Sequence, residues 1–76
     1  MSTLTPADVA LLSAAHDGSV TGSVVPIERT AYDIGWTRTR AYQRLARLAS
    51  DADAIRLDPQ ACAWLRARLE RRSVGA

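Results

Sequence analysis

The chain has 76 residues, of which 47% are hydrophobic and 24% charged, with a formal net charge of +2. That balance describes one globular domain over residues 1–76, too small to enclose a catalytic cleft as well as a core, and it excludes a disordered chain. One Cys and one His exclude an internal disulfide and a four-ligand zinc site, and no apolar run approaches the ~20 residues of a membrane span.

Taken in chain order, the first signal is a helix start. Thr5 is placed as N-cap, Pro6 fits the first helical position, and Asp8 sits where a capping-box acid belongs. Leu4 would staple against Val9. Val9, Leu12 and Ala15, with Leu11 beside them, form the inward stripe, and Gly18 supplies a stop, so the helix is expected over 6–17. Residues 18–26 read as a loop with room for a short strand around Val24 and Val25. A second helix over 27–34 would bury Ile27, Ala31 and Ile34, and Gly35 would end it in a tight turn. Thr37 then caps a third helix over 38–50. Ala41, Leu45 and Leu48 recur on its apolar side, flanked by Tyr42 and Ala49, while Arg40, Gln43, Arg44 and Arg47 recur on the other.

Beyond a polar turn at 50–53, the alternation of residues 54–57 predicts a short strand. Asp58 and Pro59 open a last helix, expected through Arg72, with Ala61, Cys62, Leu65 and Leu69 as its stripe, Trp64 near the edge and a fraying tail over 73–76. Trp36 and Trp64 read as packing residues and Cys62 as a small core residue. Ser13, His16 and Asp17 lie close in sequence, but neighbours on one helix do not build a catalytic triad. No enzyme activity, cofactor, metal or small-molecule ligand is expected.

The charge is a mosaic. Residues 1–28 carry three acids and no base, whereas residues 29–48 carry five Arg against one Asp. Residues 49–65 are net acidic, and residues 66–76 are basic again through Arg66, Arg68, Arg71 and Arg72. The last group suits the dipole at a helix C-terminus, worth about 0.3–1 kcal/mol per exposed cation. Every base is Arg, which a GC-rich coding sequence explains; it does not explain the clustering. A solvated face would interleave both signs, and the donors of the third helix include no acid.

Residues 30–45, from Thr30 through Ala31, Gly35 and Thr37 to Leu45, resemble the helix-turn-helix unit of winged helix-turn-helix DNA-binding domains in bacterial and phage regulators. Ala31 matches the small residue where the helices cross, Gly35 the turn glycine, Thr37 the cap, and Ala41 and Leu45 the inward positions of the recognition helix. Trp36 replaces the usual small aliphatic residue. The resemblance implies a mostly α fold, a three-helix core plus a C-terminal helix, with at most a small two-stranded β element pairing residues 54–57 with 20–25. Asp58 and Pro59 leave the wing short or absent.

What the resemblance implies functionally is a cytoplasmic, nucleoid-associated protein that binds double-stranded DNA as a small transcriptional regulator or phage-type repressor. Thr39, Arg40, Gln43 and Arg44 would read bases in the major groove, and Thr37, Arg38 and Arg47 would hold phosphates. The final helix would close the core or form a homodimer contact. An excisionase-type recombination accessory factor, or a protein-interaction module docking its Arg faces on an acidic partner such as a host factor, are the alternatives.

Overall fold

The computed structural model describes residues 4–74, and side chains as far as Glu70. Five helices follow one another: α1 (Pro6–Thr21), α2 (Val25–Asp33), α3 (Arg38–Leu48), α4 (Ala52–Leu57) and α5 (Pro59–Val74). The described residues contain no strand. α1 is the central element and packs on α2, α3 and α5; α4 packs on α5, which also reaches α3. The side chains of Arg71 and Arg72, and the tail residues Gly75 and Ala76, lie outside the described residues.

α1 starts as its sequence predicts. The Thr5 hydroxyl accepts the Asp8 amide at 3.1 Å and the Asp8 carboxylate accepts the Thr5 amide at 3.0 Å, closing a capping box that satisfies two otherwise orphaned donors. Its far end differs from expectation. The helix runs through Gly18 to Thr21, and the stop is Gly22, at φ 72°, whose amide donates to the Gly18 carbonyl at 2.7 Å. Gly18 is instead a packing glycine: a Cβ there would stand 2.5 Å from the Ser23 carbonyl oxygen and 3.0 Å from the Trp64 ring. Gly18→Ala is therefore expected to lower stability by about 1–3 kcal/mol in urea denaturation, although Ala is the better helix former by ~1 kcal/mol. A stabilised variant would contradict the close approach. Val9 is another departure: it is exposed rather than stapled inward.

The loop expected at 18–26 is thus reduced to a few residues. Val24 and Val25 do not form a strand; Val24 is the N-cap position of α2, the Ser23 hydroxyl accepts the Val25 amide, and Pro26 lies in the first turn. Pro is preorganised for that place and has no amide to leave unpaired. Residues 54–57 are likewise helical. The Asp51 carboxylate accepts the amides of Asp53 and Ala54 at 2.9 and 3.1 Å, nucleating α4, and Ala54 is fully buried. A four-residue alternation fits one helical turn as well as it fits a strand, and the segment 20–25, divided between the end of α1, a short turn at 22–24 and the start of α2, offers no partner strand. The Asp58 carboxylate then caps α5 by accepting the Ala61 amide at 3.0 Å. α3 ends two residues earlier than expected, at Leu48.

Among the described residues seven of the fourteen buried apolar residues are Ala, so the helices approach one another closely and depend on a few large side chains, such as Leu11, Leu12, Ile27, Leu45 and Leu48, to fill the centre. Ala61, Cys62 and Leu65 belong to this same core; the stripe of α5 closes the fold of its own chain. Burial pushes the Cys62 thiol up from its ordinary range, in keeping with a core role. Among the described residues no helix is long and apolar enough to cross a membrane.

Candidate nucleic-acid interface

α2 and α3 are joined by a turn in which three successive backbone amides find carbonyl partners. Gly35 takes φ 76°, a left-handed conformation that costs Gly little and other residues more. The Ile34 amide donates to the Thr30 carbonyl at 3.0 Å, that of Gly35 to Tyr32 at 3.1 Å, and that of Trp36 to Ala31 at 2.8 Å. These bonds satisfy the carbonyls of Thr30, Ala31 and Tyr32 in the last turn of α2 and lead the chain into α3 within four residues. Ala31 is 1% exposed, inside the core. Thr37 then caps α3, its hydroxyl accepting the Arg40 amide at 3.1 Å.

Two carboxylates from other helices pin α3 along its two edges. On one edge Asp8 of α1, only 1% exposed, receives a two-pronged ion pair from Arg44: Nε to Oδ1 at 2.7 Å and Nη2 to Oδ2 at 2.8 Å. The guanidinium holds the Asp8 carboxyl down at about 2, against the desolvation that burial imposes. The same carboxylate completes the capping box, so one buried charge joins the start of α1 to the middle of α3. On the other edge Glu28 of α2 accepts the Tyr42 hydroxyl at 3.2 Å, and Arg38 Nη1 lies 3.7 Å from the same carboxylate oxygen. Burial and the Glu28 charge both raise the Tyr42 phenol above its ordinary value.

Between the pinned edges lies an exposed strip of Thr39, Arg40, Gln43, Ala46 and Arg47, with no carboxylate on it. Arg40 rests on the indole of Trp36, its Cζ 4.1 Å from the ring centroid. An open groove of about 790 Å³ runs beside the strip, between α3 and the start of α1, lined by Trp36, Arg40, Gln43, Arg44, Ala46 and Arg47 together with Thr5 and Asp8.

The sequence-predicted base readers are therefore divided. Thr39, Arg40 and Gln43 share the open strip with the phosphate candidate Arg47. Arg44 does not point outward with them; it turns back onto Asp8, because a buried carboxylate 36 residues upstream needs its charge. Thr37 spends its hydroxyl as the cap, and Arg38, with 73% of its side chain exposed, sits at the edge near Glu28. Sequence reasoning missed Ala46, whose small side chain keeps the strip shallow, and the platform role of Trp36. The second had a signal: Trp36 and Arg40 are four residues apart across a helix start.

Of the basic segment of α5, Arg68 borders the Tyr42 edge of α3, lining a small pocket with Tyr42, Ala46 and Trp64. Arg68 rests on Trp64, 5.1 Å from the ring centroid. His16, expected near a helix end, lies inside the longer α1, where its Nδ1 stands 3.1 Å from the Asp58 carboxylate and ties α1 to the α4–α5 junction. Among the described residues no three His, Cys, Asp or Glu side chains group as a metal ion requires.

No protein-family model matches the chain, and no curated protein or solved structure matches it significantly.

Proposed function

We propose that this chain is a small sequence-specific DNA-binding protein, a transcriptional regulator or phage-type repressor acting on the nucleoid, with α3 entering the major groove. The observation that carries this reading is the strip between the pinned edges. Two buried or half-buried carboxylates fix the helix from behind, and the residues left in front are donors and small side chains without an acid among them. A helix presented in this way, after a tight turn and a cap, is suited to place its N-terminal residues against base edges. Arg40 and Gln43 carry the hydrogen-bonding patterns that match guanine and adenine, Ala46 offers a methyl to thymine, and Arg38 and Arg47 reach phosphates on either side. With residues 54–57 helical, the unit is wingless, and all contact falls to α2, the turn and α3.

The test is fluorescence anisotropy with random-sequence duplex DNA over a salt series. Neutralising two or three phosphates predicts a slope of log K against log salt of roughly −2 to −3. Undetectable binding at low salt would overturn the reading and favour an acidic protein as the partner of the same strip.

A further inference from the structure

Four arginines lie on α3, and the fold treats them differently. Arg44 is consumed by Asp8 and Arg38 is shared with Glu28. Arg47 stands exposed on the last turn of the helix. Arg40 is anchored twice: its backbone amide donates to the Thr37 cap, and its guanidinium lies over the Trp36 ring. Trp36 itself is held, since its amide donates to Ala31 and its side chain packs against the core.

A guanidinium resting on an aromatic face keeps its N–H donors, which point outward in the plane of the fork, and loses much of its rotational freedom before any ligand arrives. The Arg40 head is thus set in place in the groove beside Gln43, near the start of the helix where base edges are met. A flexible phosphate-seeking Arg needs no such platform. A base reader gains from one, because the entropy of fixing a long side chain is then not charged to binding.

Resting on the DNA-binding reading above, we infer that Arg40 is the guanine-specifying residue of this protein and that Trp36 is its positioning residue. The target half-site then contains a guanine whose O6 and N7 accept two hydrogen bonds from Arg40. Arg44, despite its place in the sequence, contributes no base contact.

The experiment begins with enrichment of sites from a random duplex library by the full chain, followed by anisotropy on the enriched duplex. Replacing the fixed guanine by 7-deazaguanine, which lacks the N7 acceptor, is expected to weaken wild-type binding by roughly ten- to a hundredfold. It should leave Arg40→Ala unaffected, because that variant has no donor for N7. Arg40→Lys retains the charge and should retain the salt slope, but its flexible point charge lacks the planar fork held on Trp36, so it should respond to 7-deazaguanine less than the wild type does. Trp36→Ala should lower discrimination at that one position while the salt slope holds, and Trp36→Phe should restore part of it. If Trp36→Ala fails to fold, the Trp36→Phe and Arg40→Lys pair carries the test. Binding that is indifferent to 7-deazaguanine, or a uniform loss in Arg40→Ala with the slope smaller by about one, would make Arg40 a phosphate contact. Either result would overturn this inference and leave DNA binding standing. An absence of binding to any library duplex would remove both.

Discussion

Arg44→Ala is expected to cost about 3–5 kcal/mol of folding stability, a large part of what a 76-residue domain has. The asymmetry of the ion pair decides which partner matters more. Arg44 keeps about a third of its side chain exposed, whereas Asp8 is 1% exposed. Removing Arg44 therefore strands a carboxylate inside the protein, while removing Asp8 leaves a guanidinium that still reaches water. Asp8→Ala should cost less in the pair, but it also opens the capping box with Thr5, worth about 1 kcal/mol. A double-mutant cycle by urea denaturation should show the two losses strongly non-additive, the double variant costing clearly less than their sum. Additivity would mean that the pair holds nothing.

The pH dependence follows from the same carboxylate. Its pKa is lowered on folding from 3.8 to about 2, so the folded state releases this proton more readily than the unfolded chain does. The resulting stability, about 2 kcal/mol, is fully present above pH ~4 and is lost as the pH falls through the folded value. Thermal melts of the wild type between pH 2 and 4 should show this rise with pH. In Arg44→Ala the rise should flatten, since the group that lowers the carboxyl is gone. An unchanged acid slope in that variant would assign the effect to other carboxylates.

A second large effect is expected in DNA binding, from residues that the fold does not need. The paired reversal Arg40→Glu/Arg47→Glu should weaken binding to random duplex DNA by a hundredfold or more. Each position loses a charge-assisted hydrogen bond worth about 1.5–3 kcal/mol and gains repulsion. Both side chains are exposed, so folding stability should change by about 1 kcal/mol or less, mostly through the lost contact with Trp36. The contrast with Arg44→Ala separates surface from scaffold: one variant keeps its stability and does not bind, the other loses much of its stability. Retained DNA binding by the folded reversal variant would move the interface away from α3.

What the sequence determined by itself was everything that depends on near neighbours. Thr5, Pro6 and Asp8 mark the start of α1, Gly35 and Thr37 mark the turn and the start of α3, and Asp58 with Pro59 marks the start of α5, because capping bonds span three residues and positive φ belongs to single residues. The inward positions Ala41, Leu45 and Leu48 were legible for the same reason, as a helix repeats its face every three or four residues.

Where distant parts of the chain compete for one group, only the tertiary structure decided. Gly18 reads as a stop because Gly is a poor helix former, yet α1 runs past it, and its missing Cβ leaves room for the Ser23 carbonyl oxygen and for the Trp64 ring, 46 positions later. Residues 54–57 alternate like a strand, but a strand requires a partner, and the segment that would have paired is the end of α1, a three-residue turn and the start of α2. Arg44 shares its spacing with Arg40 and Arg47, and periodicity cannot tell them apart. The buried carboxylate of Asp8 does, because an ion taken out of water binds the nearest opposite charge before any ligand can.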